Sequence, residues 1–341
     1  MKYRTFGRSG LRVSEVFLGT MTFGAEWGWG TPPEECRKLF AAYAEAGGNV
    51  IDTASAYSEG ASETIVGDLL GADRDRFVVA TKYTVTCDGD DPNASGNHRK
   101  SLQRSLEQSL RRLRTDRVDL LWVHVWDRDT PVEETMRALD DAVRAGKVLY
   151  VGISNAPAWV VAKGNDLADW RGWSPFIGLQ VPYNLVQREI ERELLPMAVD
   201  FGLSVAAWSP LAGGVLTGKF TQGGQEGPSR VNREGISERD LRIAAEADAV
   251  ADGLGVASSQ VALAWLRSRQ PFVHPVLGAR VTTQLTDSLA RLDLELPDDA
   301  IRRLDEVSAI QLGFPHDHIE STRRLVYGPA GDKTSRTFEG E

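Results

Sequence analysis

Short apolar runs of strand length recur along the chain at residues 16–18, 49–52, 77–81, 119–123, 148–153, 176–180, 204–207 and 272–277, each followed by turn-forming residues. The runs are continuous rather than alternating. That is the pattern of strands covered on both faces, as parallel strands flanked by helices must be. Between the runs lie stretches with helix-start signals. Thr31-Pro-Pro-Glu-Glu precedes a helical pattern over 36–45, and Thr130-Pro-Val-Glu-Glu precedes one over 135–145. Both put carboxylates in a first turn, where they complement the helix dipole. Gly47-Gly48 and Gly146 mark helix ends, since glycine accepts the left-handed conformation that turns the chain toward the next strand. Eight such alternations close a barrel, so the pattern predicts one α/β domain over residues 1–341 with the (β/α)8 TIM-barrel architecture.

Three stretches depart from the rhythm. Residues 1–14 read as a hairpin, with a turn at Arg8-Ser9-Gly10, placed to cap the barrel bottom. Residues 209–236 are rich in glycine and arginine and are longer than an ordinary connection, which predicts a long loop that is either a functional lid or disordered. Residues 312–341 are polar and aperiodic and are expected to form an irregular tail.

Composition narrows the function. The chain is 42% hydrophobic and 26% charged, enough apolar side chain for a substantial core. Its 39 basic and 48 acidic residues give a net charge of −9, which repels a phosphate backbone and argues against a nucleic-acid partner. Only eight residues are lysine, so Lys82, inside an apolar run, is conspicuous. Cys36 and Cys87 match no metal or disulfide spacing and read as free thiols of a reducing cytoplasm. No stretch reaches the roughly 18 apolar residues of a membrane span and the N-terminus has no apolar signal core, so a soluble, cytoplasmic protein with no membrane partner is expected. Neither GxGxxG nor GxxxxGK[ST] occurs, so any nucleotide is held in another geometry.

Four polar residues fall at or just beyond the ends of consecutive runs: Asp52 and Tyr57 after the second, Lys82 after the third and His124 after the fourth. Taken singly, each has a bland reading as a turn cap, a loop aromatic, a solvated strand end or a core histidine. Together they converge on the catalytic face of a barrel. Reduction of a carbonyl needs a proton donor for the forming alkoxide and positive potential beside it. A tyrosine, whose ordinary pKa is about 10, becomes a usable donor when a lysine ammonium stabilises its anion. An aspartate keeps that lysine charged and fixed, and a histidine orients the carbonyl oxygen or shares its proton.

The segments GNVIDTASAY (48–57), VATK (79–82) and DLLWVH (119–124) resemble the aldo-keto reductases, whose tetrad is aspartate, tyrosine, lysine and histidine in that order. The resemblance runs from about Gly7 to Leu296. It implies an NADPH cofactor, with NADH as the alternative, lying extended across the barrel mouth, and a small-molecule carbonyl substrate. It also implies that Ser154, Asn155 and Gln180 hydrogen-bond the nicotinamide amide and that Trp208 stacks on its ring. By the same resemblance Ser209, Pro210, Leu211 and Gly213 line the pyrophosphate, and Lys219 is the nearby cation. Gly278, Arg280, Gln284 and Asp287 match the adenosine and 2′-phosphate site, with Ser288 where the family often has asparagine. The planar fork of an arginine suits a phosphate dianion, which favours NADPH.

Trp27, Trp29 and Trp126, among nine tryptophans, fall in predicted rim loops. They either wall an apolar or sugar-like substrate or fasten loop to barrel. Two other readings stay open. One is a cofactor-binding regulatory or scaffold subunit with little turnover, of the kind the potassium-channel β subunits represent. The other, a metal-dependent barrel hydrolase, finds little support in five histidines, of which His316 and His318 form the one His-x-His pair. No metal is expected.

Overall fold

Each of the eight apolar runs is a parallel strand. The computed structural model describes residues 1–85, 89–221, 233–269 and 272–328; Cys87, residues 222–232 of the long loop and residues 329–341 of the tail lie outside the described residues. A hairpin of β1 (Tyr3–Thr5) and β2 (Arg12–Ser14) precedes the barrel strands β3 (Phe17–Gly19), β4 (Val50–Asp52), β5 (Val78–Tyr83), β6 (Val118–Val123), β7 (Val148–Ser154), β8 (Phe176–Pro182), β9 (Ser204–Trp208) and β10 (Val273–Leu277). From β4 onward each strand pairs in parallel with its predecessor, and β10 closes the ring on β3.

Helices cover the outside: α1 (Pro33–Glu45), α2 (Ala61–Leu70), α3 (Arg99–Leu113), α4 (Val132–Arg144), α5 (Ala158–Arg171), α6 (Leu194–Phe201), α7 (Glu238–Leu254), α8 (Ser258–Arg267), α9 (Thr282–Leu289) and α10 (Asp298–Val307). The expected starts are present, with Glu34 and Glu35 in the first turn of α1 and Glu133 and Glu134 in that of α4. Gly146 (φ 73°) ends α4 in a left-handed turn, its N–H bonded to Val143 O (2.9 Å) and that of Lys147 to Ala142 O (3.2 Å).

Strand parity divides the core in two. Ile51, Val79, Leu121, Val123, Leu179 and Val205 belong to the larger cluster between strands and helices. Val50, Val78, Ala80, Leu120, Trp122, Ala206 and Val276 form a separate cluster in the barrel interior. Because side chains alternate in and out, Asp52 shares the inward side of Val50, and Lys82 that of Val78 and Ala80. His124 follows Leu120 and Trp122 with the same parity.

The hairpin closes the bottom, as its position in the sequence suggests. Phe6 is fully buried in the interior cluster, 6.3 Å from the Trp122 ring and 5.6 Å from that of His274. Burying that ring contributes about 1.5–3 kcal/mol. Gly7 (φ 58°) follows at a close approach: a Cβ there would fall 2.1 Å from Ile177 O.

The tail departs from expectation. Residues 316–327, expected to be irregular, form helix α11 (His316–Tyr327), which ends at Gly328. None of its residues is buried, so no apolar stripe faces a core. The period that betrays a packed helix is therefore missing from its sequence. Among the described residues, no single helix is long and apolar enough to cross a membrane.

Candidate active site

Three strand ends and the turn after β4 deliver the four polar side chains to the barrel mouth. Lys82, 1% exposed, uses its ammonium protons on three neighbours: the Asp52 carboxylate, the Thr53 carbonyl (2.8 Å) and the Tyr57 side chain. Burial alone would depress Lys82, but the charge of Asp52 and the hydrogen bonds to Asp52 and Tyr57 outweigh it and hold the ammonium above its ordinary value. The Lys82 nitrogen lies 4.8 Å from the centre of the Tyr57 ring. His124 meets that ring edge-on at 5.8 Å. Burial first, and the Lys82 charge second, push the imidazole down to about 3, so it is neutral at pH 7. Its Nδ1 is buried without a partner.

Tyr57 is presented by a strained turn. Ser58 (φ 46°) and Glu59 (φ 54°) adopt left-handed conformations, and Gly60 (φ 93°) completes the turn into α2. Such residues cost about 1–3 kcal/mol each and persist only where their surroundings enforce them. Arg112 on α3 supplies the enforcement, donating from one nitrogen to Ser55 O (3.2 Å) and to Glu63 (3.2 Å). Glu63 is fully buried and also accepts from Thr81 (2.6 Å), next to Lys82.

The Asp52 carboxylate is held from its other side as well. Trp122 Nε1 (3.0 Å) and Gln180 Nε2 (2.8 Å) both donate to Oδ2, while Lys82 takes Oδ1. Gln180, expected at the nicotinamide amide, thus has its N–H2 engaged within the tetrad. Asn155 is likewise in use, its Nδ2 on His124 O (2.9 Å) and its Oδ1 accepting from Trp208 (3.1 Å). These bonds fix Trp208 and the end of β6 relative to each other. By contrast, Ser154 Oγ is buried with no partner. An orphaned hydroxyl beside Asn155 and Trp208 fits a carboxamide of nicotinamide.

Ser209 (φ 55°) and Ala212 (φ 49°) bend the loop after β9, which carries Pro210, Leu211 and Gly213, and Asn184 holds the Ser209 carbonyl (2.9 Å). Gly214 (φ 99°) continues the bend in a left-handed conformation that favours glycine. Lys219 is lowered by burial and by the nearby charge of Arg280. Gln284 accepts from the Arg280 N–H (3.0 Å), Ser288 turns its hydroxyl onto Gln284 O (2.9 Å), and Asp287 is exposed. The Gln284 and Ser288 side chains thus serve the local backbone, while Gly278 is exposed at the end of β10.

Trp27 and Trp29 stack obliquely at 5.4 Å, and Trp27 meets the Tyr57 ring edge-on at 6.5 Å. They form an exposed wall over the tyrosine. Trp126 instead packs against the outer core and sets its ring edge-on to Trp159 at 5.3 Å. Among the described residues no group of three or more His, Cys, Asp or Glu side chains is arranged to hold a metal; His316 and His318 sit on α11.

Sequence reasoning missed Trp122 and Arg112. The first was legible by parity, two residues before His124 on the inward face. The second carried no local signal, since its partners are 49 and 57 positions away.

The model of the aldo/keto reductase family matches residues 15–309. The norsolorinic acid reductase stcV of Emericella nidulans is 40% identical over 338 residues, covering 96% of this chain and 86% of that protein. The aryl-alcohol dehydrogenase [NADP(+)] of Phanerodontia chrysosporium is 35% identical over 345 residues, covering 95% and 88%. The aldo-keto reductase ausK of Aspergillus calidoustus is 36% identical over 331 residues, covering 91% and 83%. With the family model spanning the closed barrel and these relatives aligned along nearly the whole chain, the protein belongs to the aldo/keto reductase family and is an oxidoreductase of the carbonyl–alcohol couple.

Proposed function

We propose that the chain catalyses the NADPH-dependent reduction of an aryl aldehyde or ketone, reversibly, with Tyr57 as the proton donor. The observation that carries this reading is the disposition of the Lys82 protons. With the ammonium donating to Asp52, Thr53 O and the Tyr57 side chain, the phenol accepts from lysine and is left to donate its own proton outward. As that proton departs, the ammonium stabilises the phenolate without any rearrangement. His124, neutral at pH 7, serves as a hydrogen-bonding guide for the carbonyl oxygen rather than as a cationic acid.

When bound, the reduced nicotinamide supplies hydride to the carbonyl carbon. Ser154 is the residue suited to its amide, with Asn155 and Gln180 bracing the surroundings, and the Trp208 face is suited to the ring. The charge of Arg280 is close enough to be felt by Lys219, and positive potential from two cations in the loops after β9 and β10 supports a phosphate-bearing cofactor. The exposed Trp27–Trp29 pair beside Tyr57 offers a flat apolar wall, and relatives named for aryl alcohols and norsolorinic acid support an aromatic substrate.

The test is loss of NADPH absorbance with a panel of aryl, alkyl and sugar aldehydes. Turnover that is highest with the aryl members is expected. Tight NADPH binding with zero turnover across the panel would favour the regulatory-subunit reading instead.

A further inference from the structure

We propose that Trp122 is a positioning residue for proton donation: its indole N–H, on Asp52 Oδ2, sets how firmly that carboxylate holds the Lys82 ammonium and hence how much of the ammonium is left for Tyr57. The inference rests on the reading of Tyr57 as proton donor.

Three observations support it. First, the bond is buried and charge-assisted. Trp122 is fully buried, and its one polar atom reaches the carboxylate at 3.0 Å. Second, the seat of the indole is built for it. A Cβ at Gly152 on β7 would lie 2.4 Å from the Trp122 ring, and one at Gly178 on β8 would lie 3.1 Å from it. The next two strands in barrel order lack side chains where the ring lies, and Phe6 closes the seat edge-on from below. Third, the interior cluster that holds the ring is made of apolar side chains, Phe6, Phe17, Ala206 and Val276 among them, so a phenylalanine would fill much of the space. The N–H is the feature a filler would lack.

The carboxylate divides its negative charge among its donors. Lys82 occupies Oδ1, and the indole and the Gln180 amide occupy Oδ2. Withdrawing the indole leaves more charge to draw the ammonium toward Asp52 and away from the phenol. Binding of substrate and cofactor is expected to be little affected, since Trp122 is buried beneath Asp52.

The experiment is Trp122→Phe on the full chain. The expected result is a kcat about tenfold lower, the size of one charge-assisted hydrogen bond. The KM for the aldehyde and the Kd for NADPH are expected to stay within about twofold, and the pH profile of kcat is expected to move upward. In an Asp52→Asn background the same substitution is expected to add no further loss, because the acceptor charge is already gone. Unchanged kcat and pH profile, or losses that multiply in the double variant, would overturn the proposal. A readout independent of turnover is the indole N–H resonance of Trp122, assigned by its absence from Trp122→Phe. It is expected to move upfield in Asp52→Asn, and an unmoved resonance overturns the coupling even if Trp122→Phe fails to fold. Absence of carbonyl reduction by the unaltered protein would refute the proposed function alone, leaving this resonance to decide the Trp122–Asp52 link.

Discussion

The Arg112 guanidinium lies against Gly60 so closely that a Cβ on the glycine would fall 2.5 Å from its central carbon. Arg112 thereby connects α3 to the turn that presents Tyr57, and through Glu63 and Thr81 to the strand that presents Lys82. Arg112→Met strands a buried carboxylate and releases the strained turn. A loss of about 1–3 kcal/mol in urea unfolding is expected, together with a fall in kcat larger than any change in cofactor affinity. Equal stability and equal kcat would show that the turn holds itself.

Tyr57→Phe deletes a single hydroxyl. Turnover is expected to fall by about a hundredfold or more, the usual scale of general-acid catalysis, while NADPH quenching of tryptophan fluorescence titrates as before. Retained turnover would transfer the proton to another donor.

Stability is expected to fall in acid for a specific reason. His124 and His274 are each pushed from 6.5 down to about 3, chiefly by burial. A histidine whose folded value is depressed takes up its proton more readily in the unfolded chain, so its neutral form favours folding fully above pH 6.5. That contribution shrinks as pH falls from 6.5 toward 3, by about 1.4 kcal/mol per pH unit for each histidine. Urea unfolding at pH 7, 6 and 5 measures the slope. His274→Phe, remote from the tetrad at the barrel bottom, is expected to flatten it by about half of the two-histidine contribution.

Arg280→Ala leaves Lys219 as the sole partner of the pair. The Kd for NADPH is expected to rise about tenfold or more, and that for NADH to change little, because only the former carries the extra phosphate. Equal weakening of both cofactors would place Arg280 on a shared part of the nucleotide.

The barrel and much of its mouth were legible in the sequence because both follow from short-range regularities. Continuous apolar runs mark covered strands, and Asp52, Lys82 and His124 interrupt that pattern at the strand ends. Helix α11 was not legible, since an unpacked helix has no apolar stripe to announce it. The internal obligations of Gln180, Asn155, Gln284 and Ser288 were hidden for a different reason. An amide or hydroxyl at a rim position looks the same in sequence whether it awaits a ligand or braces a neighbour, and the choice depends on partners as distant as 128 positions. The resemblance to a family supplied positions for these residues, and the geometry supplied their present bonds.

The Phe6 stopper has a corollary for access. A barrel filled from its foot upward by Phe6 and Trp122 has no through-passage, so the Asp52–Lys82 pair forms a floor that is approached from one end alone.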